Sequence, residues 1–141
     1  MVTADQASKT WAEDHLAYHS RHVLGPVWFR LTYNSGAAFS LGRGLAPALA
    51  ILAVLAVVAI FVVTRRASSW TVVIAGGMLA GGALGNLADR VFRDNHGSVI
   101  DFIWTSFWPT FNLADACITI GVVVLAVMLA WQRRPVPSEP A

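Results

Sequence analysis

Three long apolar segments constrain this chain most strongly. Residues 46–63 and 70–88 contain no charged side chain, and residues 112–131 contain a single carboxylate, Asp115. At 1.5 Å per residue, a helix of such a length just crosses a hydrocarbon core of about 30 Å. Composition agrees, because 56% of the 141 residues are hydrophobic and only 13% are charged. The pattern predicts an all-α membrane protein, built as a transmembrane helix bundle with three spans.

Two shorter segments favour strands. Residues 26–34, PVWFRLTYN, and residues 98–104, SVIDFIW, are rich in β-branched and aromatic side chains. Asn34, Ser35 and Gly36 then predict a turn that leads the chain back towards the first apolar segment. We therefore expect a small extracytoplasmic β element beside the helices.

The remaining segments complete a single domain over residues 1–134. Residues 13–22 are predicted to form a surface helix, and the proline-rich tail 135–141 is predicted to be disordered. Arg65 and Arg66 follow the first apolar segment, and Arg133 and Arg134 follow the last. The positive-inside rule places these arginines in the cytoplasm, so the opposite ends of the helices face outward.

Asp115 and Asp101 are the candidate catalytic residues. A charge within a bilayer helix costs about 2.5–3.5 kcal/mol on insertion scales, so such a residue is usually functional. Two adjacent carboxylates share one proton, and the pair can then activate water and polarise a carbonyl. The alternatives are structural: Asp115 forms a capping box with Asn112, and Asp101 is an ordinary polar strand residue.

The end of the second apolar segment carries a further polar group, Asn86, Asp89 and Arg90. One helical turn places Asn86 and Arg90 on the same face, where they can contact substrate. An Asp89–Arg90 ion pair at the membrane boundary is at least as good an interpretation. In the same helix Gly77, Gly81 and Gly85 recur every four residues, which favours close helix packing.

The sequence gives weaker support for a metal site, a serine/lysine dyad or a nucleic-acid partner. His15 and His19 are four residues apart, yet no HExxH motif accompanies them, so we expect no metal and no other cofactor. Ser8 and Lys9 suggest a serine/lysine peptidase, but adjacent side chains point in different directions. Cys117 is interpreted as a small packing residue. No basic run is long enough to indicate a nucleic-acid partner.

Five motifs in order resemble lipoprotein signal peptidase, also called signal peptidase II. They are DQASK at 5–9, NSGAAFS at 34–40, GGALGNLADR at 81–90, VIDFI at 99–103 and FNLADACI at 111–118. The resemblance implies a multi-pass aspartic endopeptidase of the bacterial cytoplasmic (inner) membrane, with its active site on the extracytoplasmic side. Such an enzyme cuts the signal peptide from prolipoproteins before a diacylglyceryl-modified cysteine. A non-enzymatic membrane scaffold or small transporter is the alternative of another class, although no inverted repeat supports a transporter.

The resemblance also assigns roles. Asp101 and Asp115 match the two catalytic aspartates, membrane lipid is an expected partner, and globomycin-type inhibitors are expected to bind at the active site. Residues expected to orient the dyad or hold substrate are Asn34, Gly36, Asn86, Arg90, Asn112, Asp5 and Lys9.

The family has four transmembrane helices, and its DQxSK motif closes the first. Only Met1–Ala4 precede Asp5 here. We therefore expect the first span to be missing, through an internal methionine start or a truncation, with Asp5 and Lys9 poorly anchored and exposed to lipid.

Overall fold

The computed structural model describes residues 1–36, 46–67 and 69–132. This part of the chain contains four helices and four strands. In order they are α1 (Val2–Leu16), β1 (Arg21–Leu24), β2 (Val27–Asn34), α2 (Ala46–Thr64), α3 (Trp70–Phe92), β3 (Val99–Thr105), β4 (Trp108–Phe111) and α4 (Leu113–Gln132). The fold is therefore mostly helical, with one small sheet.

The three apolar segments form α2, α3 and α4, as predicted. α3 extends one turn beyond the expected end, to Phe92. Within the described residues, α3 is the one helix long and apolar enough to cross a hydrocarbon core by itself; the apolar helical stretches Pro47–Val62 and Leu113–Met128 are shorter. The three apolar helices are thus confirmed, and one of them, α3, meets the length and composition of a membrane span; the bundle of three spans stays a prediction.

The strands form one antiparallel sheet in the order β1-β2-β3-β4. β2 and β3 are the two predicted strands, and they pair with Asn34 opposite Val99 and Thr32 opposite Asp101. β1 and β4 were not predicted. Successive side chains on β3 point to opposite faces, so Phe102 faces away from Asp101.

One face of the sheet packs on α1. Ala12, Leu16 and Phe102 form a buried apolar cluster between them. The ring of Trp11 lies 5.5 Å from that of Phe29 and 6.4 Å from that of Phe102. This contact holds α1 beside the sheet and leaves the other face of β3, with Asp101, for the remaining helices.

The surface helix predicted at 13–22 is wrong. Residues 13–16 are instead the last turn of α1, which begins at Val2, and Arg21 and His22 belong to β1. α1 has little amphipathic signal, because its buried face combines Asp5 and Lys9 with apolar residues. The predicted disordered tail lies outside the described residues, as do Arg133 and Arg134.

Candidate active site

Asp101 lies in the middle of the sheet with only 2% of its surface exposed. Two amides donate to its carboxylate. The Nδ2 atom of Asn34, at the end of β2, lies 3.0 Å from Oδ2, and the Nδ2 atom of Asn112, just before α4, lies 2.7 Å from Oδ1. Asp101 is therefore not an ordinary solvated strand residue, since its carboxylate is held from both sides.

Asp115 lies in the first turn of α4, where Asn112 is the residue before the helix. The backbone N–H of Asn112 donates to Asp115 Oδ2 at 3.2 Å, and the backbone N–H of Asp115 donates to Asn112 Oδ1 at 3.0 Å. This reciprocal pair is the expected capping box. The other carboxylate oxygen, Oδ1, accepts from Asn86 Nδ2 at 2.8 Å.

Asn112 connects the two carboxylates. Its side chain donates to Asp101 while its backbone N–H donates to Asp115, and it is completely buried. Burial, together with the charge of Asp115, raises the pKa of Asp101 from 3.8 to about 7; the hydrogen bonds from Asn34 and Asn112 and the charge of Lys9 oppose this increase. The two acids thus interact electrically, and Asp101 can hold a proton near neutral pH.

A buried ion cluster lies next to these carboxylates. Lys9 on α1 places its ammonium 2.9 Å from Asp5 and 2.9 Å from Asp89, and all three side chains are fully buried. The same ammonium donates to Asn86 Oδ1 at 3.0 Å. α1 is thereby bound to α3 and, through Asn86, to the partners of the two acids.

Asp5 also binds α4 directly. Its Oδ1 atom accepts the backbone N–H of Ala114 at 3.0 Å. Gly85 of α3 makes this approach possible, because a Cβ atom there would lie 2.5 Å from Asp5 Oδ2. The expectation that Asp5 and Lys9 are poorly anchored and exposed to lipid is therefore wrong.

Arg90 fixes the chain after β2. Its guanidinium donates to the carbonyl of Gly36 at 2.9 Å and to that of Asn86 at 3.3 Å. Gly36 in turn donates its N–H to Asn34 Oδ1 at 3.0 Å. The alternative of an Asp89–Arg90 ion pair is wrong, because Asp89 makes its ion pairs with Lys9 and Arg93 instead.

Sequence reasoning missed two members of this polar network, Gln6 and Arg93. The amide of Gln6 donates to Asp89 at 2.8 Å and to the carbonyl of Gly85 at 3.0 Å. Arg93 contacts Gln6 and forms an ion pair with Glu13. The signals were the glutamine inside DQASK and the four-residue spacing from Asp89 to Arg93, which places both on one face of α3.

The glycines of α3 are only partly the predicted packing motif. Gly81 lies against Met1 and Gly85 against Asp5, but nothing lies within 4 Å of a Cβ atom built at Gly77. Gly82 makes the closest approach to α4, since a Cβ atom there would lie 2.6 Å from the Ala114 carbonyl oxygen. Cys117 is buried and contacts Met1, in keeping with a packing role.

Asp101 and Asp115 open into one cavity of about 440 Å³. Its polar end also includes Asn34, Asn86 and Arg90. Its remaining walls are largely apolar and come from α2, α3, α4 and β4, with Leu49, Leu52, Ala53, Ala56, Ile60, Leu79, Ala83, Trp108, Pro109, Phe111 and Ile118 among the lining residues. The arrangement brings an acid pair to one end of a mostly apolar cavity.

Two rival chemistries find little support in the geometry. Ser8 donates its hydroxyl to the carbonyl of Asp5 at 2.7 Å, whereas the ammonium of Lys9 is bound to carboxylates. His19 lies beyond the end of α1, so the four-residue helical spacing with His15 is wrong. Across residues 1–36, 46–67 and 69–132, no three His, Cys, Asp or Glu side chains come together as a metal site requires.

Known proteins resemble the chain in both sequence and structure. The family model described as signal peptidase (SPase) II matches residues 1–131. Lipoprotein signal peptidases from Mycobacterium leprae, Syntrophomonas wolfei and Pseudomonas syringae are 42%, 37% and 40% identical to the chain. These alignments cover 91%, 92% and 90% of this chain, and 66%, 87% and 79% of the respective relatives. The chain thus spans about two thirds of the M. leprae protein.

Two solved bacterial membrane enzymes, both determined by the in meso method, share the fold. The 2.3 Å structure superimposes with a TM-score of 0.86 at 27% identity, covering 99% of this chain and 88% of the other. The 1.9 Å structure gives 0.78 at 29% identity, covering 91% and 86%. Because the family model matches residues 1–131 of the 141-residue chain, the chain belongs to the signal peptidase II family.

Proposed function

We propose that this chain is an aspartic endopeptidase that removes the signal peptide from diacylglyceryl-modified prolipoproteins. The observation that carries the proposal is the meeting of Asp101 and Asp115 at the end of one cavity, with the pKa of Asp101 raised to about 7. Family membership supports the same activity, since the relatives are lipoprotein signal peptidases.

The acid pair can hydrolyse an amide without a covalent intermediate. We assign the shared proton to Asp101, whose carboxyl then polarises the carbonyl of the scissile bond. Asp115 accepts a proton from water as the water attacks that carbonyl. Collapse of the tetrahedral intermediate breaks the C–N bond, and the leaving amine takes a proton from the pair. The products are the signal peptide carboxylate and the free amine of the lipid-bearing cysteine.

The shape of the cavity suits such a substrate. A signal peptide and a diacylglyceryl group are both apolar, and the walls from α2, α3 and α4 are apolar too. The scissile amide, in contrast, needs polar partners. Arg90 lines the polar end of the cavity beside the two acids, and we assign it to hold the substrate backbone, while Asn34, Asn86 and Asn112 orient the carboxylates. We also expect globomycin-type inhibitors to compete for this cavity.

A membrane location follows from the helix surfaces. Ile51, Leu55 and Phe61 of α2 are each at least 60% exposed, and Val122, Val123 and Val127 of α4 at least half exposed. Surfaces of this kind are stable in lipid. We propose a multi-pass protein of the bacterial inner membrane, with Arg65 and Arg66 in the cytoplasm and the acid pair on the extracytoplasmic side. A topology reporter inserted near Asn95 should therefore report an extracytoplasmic position, and one fused after Arg134 a cytoplasmic position.

Cleavage of a lipid-modified precursor tests the activity. The purified chain in detergent should cut a diacylglyceryl-modified precursor and leave the unmodified form intact. Asp101→Asn and Asp115→Asn should each lower kcat at least about 1000-fold, because each removes one member of the acid–base pair. Asp14→Asn, the same change at an exposed site on α1, is the matched control and should retain activity.

The same experiment distinguishes the aspartic mechanism from a serine/lysine peptidase and from a non-enzymatic scaffold or transporter. Retained turnover in either dyad variant contradicts the aspartic mechanism. Loss of activity in Ser8→Ala, with a stable fold, indicates a serine/lysine enzyme. Absence of cleavage by the unchanged chain, under conditions in which an established signal peptidase II is active, favours the scaffold or transporter.

A further inference from the structure

Three amide side chains direct N–H groups at the acid pair: Asn34, Asn86 and Asn112. The two ends of an amide have nearly the same shape but opposite hydrogen-bonding character. A carboxamide turned by 180° presents its oxygen to the carboxylate and repels it. The site therefore needs a partner that fixes the orientation of each amide.

Backbone groups fix two of the three. The oxygen of Asn34 accepts the N–H of Gly36, and the oxygen of Asn112 accepts the N–H of Asp115, both at 3.0 Å. A backbone N–H can only donate, so the amide nitrogen must lie on the opposite side, towards the acids. Only proline lacks a backbone N–H, so any other substitution at Gly36 or Asp115 leaves these donors in place.

The orientation of Asn86 depends on a side chain, Lys9. The Asn86 oxygen accepts from the Lys9 ammonium at 3.0 Å, and an ammonium has no acceptor. The Asn86 nitrogen is consequently directed at Asp115 Oδ1, 2.8 Å away.

Asn112 cannot replace Lys9 in this respect. Its Nδ2 atom lies 3.1 Å from the Asn86 oxygen, but also 2.7 Å from Asp101 and 3.2 Å from the Ile100 carbonyl. Two hydrogens cannot serve three acceptors fully, and the Asp101 contact is the shortest. The contact from Asn112 to Asn86 is thus the one most easily lost.

Lys9 itself cannot turn away. Its side chain is fully buried, and its three N–H bonds have three acceptors, on Asp5, Asp89 and Asn86. We propose that Lys9 is a positioning residue that sets the amide orientation of Asn86, and so delivers an N–H group to Asp115 of the acid pair. This inference rests on the proposed peptidase activity.

The charged groups around the acid pair influence the pKa of Asp101, and through it the pH dependence of kcat. Besides each other, the two acids face Lys9 and Asp5 on α1 and Asp89 and Arg90 on α3. Among these, the positive charge of Lys9 lowers the pKa of Asp101. Removing Lys9 should therefore raise that pKa further and move the pH dependence of kcat to higher pH.

Lys9→Met tests the role of the ammonium with little change in volume. We expect kcat to fall about 10- to 100-fold, because a hydrogen bond to a charged group is lost. KM should change little, since Lys9 does not line the cavity. Glu13→Gln is the matched control, because it removes another ion pair between α1 and α3, with Arg93, away from Lys9. Its pH profile should match that of the unchanged chain.

A double-mutant cycle separates positioning from general loss of stability. In an Asn86→Ala background, Lys9→Met should reduce kcat by less than about threefold, because the amide through which Lys9 acts is gone. If the double variant lowers kcat by the full product of the two single effects, the inference is overturned. A Lys9→Met enzyme with an unchanged kcat and pH profile would also overturn it.

A second variant covers the case in which Lys9→Met does not accumulate. Asn86→Asp retains Lys9 and presents only acceptor oxygens to Asp115, so kcat should fall as in Lys9→Met and its pH profile should shift upward. An Asn86→Asp enzyme with the original kcat and profile would overturn the inference. If the unchanged chain fails to cleave the lipid-modified precursor, the proposed function is wrong; if it cleaves and the Lys9 results are negative, only this inference is wrong.

Discussion

Asn112 and Asp115 hydrogen-bond to each other in both directions at the start of α4, at 3.2 Å and 3.0 Å. This pair joins two interpretations of Asp115 that looked like alternatives in the sequence. The capping box uses the Oδ2 atom, while the Oδ1 atom accepts from Asn86 and lies in the cavity wall with Asp101. A helix cap thus supplies the rigid position that the proposed catalytic role of Asp115 requires.

Substitution of Asn112 should separate capping from catalysis. Asn112→Ser keeps an N-cap side chain but loses the Nδ2 donor to Asp101, so it should fold almost normally and show kcat reduced about 10- to 100-fold. Asn112→Ala loses both, and should also lower the free energy of unfolding by about 1 kcal/mol. Cleavage kinetics and thermal unfolding in detergent measure the two effects. A fully active Asn112→Ser enzyme would show that the contact to Asp101 is dispensable.

Activity should decline as the pH rises through about 7. The proposed mechanism needs a proton on Asp101, and that carboxyl has a pKa of about 7 because it is buried next to Asp115. Above this pH the fraction of protonated Asp101 falls tenfold per pH unit, and kcat should follow it. The measurement is kcat against pH with saturating precursor. A kcat that keeps rising to pH 9 would be incompatible with a protonated Asp101.

The same carboxyl should make stability depend on pH. Its pKa is higher in the folded chain than the ordinary 3.8, so the folded state binds the proton more tightly than the unfolded state. The free energy of unfolding should therefore fall as the pH rises from about 4 to about 7, by on the order of 4 kcal/mol from this group. Asp101→Asn should remove this component. Equal pH dependence of thermal unfolding in the two proteins would contradict the buried, high-pKa carboxyl.

A glycine pair on α3 offers a test of the helix contact behind the acids. Gly82→Ala places a Cβ atom 2.6 Å from the Ala114 carbonyl oxygen, so α3 and α4 must separate, and both activity and stability should fall. Gly77→Ala meets nothing within 4 Å and should be neutral or stabilising by up to about 1 kcal/mol. Equal effects of the two substitutions on unfolding would show that the close approach at Gly82 is unimportant.

Chelation provides an independent check on the mechanism. If water is activated by Asp115 and not by a metal ion, EDTA should leave cleavage of the precursor unchanged. The comparison is the initial rate before and after dialysis against the chelator. Inhibition that zinc reverses would assign the activated water to a metal site and contradict the aspartic mechanism.

The helices α2, α3 and α4 were predictable because their side chains are apolar over their whole lengths. Strands β2 and β3 were predictable from β-branched and aromatic runs. α1 was not, because its buried face carries Asp5 and Lys9, which read as solvent-facing residues in a sequence. A charged helix face is buried here only because the opposite charges meet, and that meeting is a property of the folded chain.

In the candidate site too, some features were predictable from the sequence and others were not. Motif order grouped Asp101, Asp115 and the asparagines around them as candidates, and the structure brings these residues together because they lie in or beside predictable elements. The pairing of Lys9 with Asn86 joins positions 77 residues apart, and that of Gln6 with Arg93 joins positions 87 residues apart. Spacing along one helix or strand carries no information about such contacts, so the network that orients the acids was visible only in three dimensions.

The bond from Asp5 to the Ala114 backbone spans 109 positions of the chain. On the ribosome α1 is synthesised long before α4, so the carboxylate of Asp5 lacks its last partner until the following 109 residues have been made. Asp115 is synthesised directly after Ala114. A nascent chain that stops before α4 has at most one of the two acids, so an unfinished molecule cannot contain the assembled acid pair.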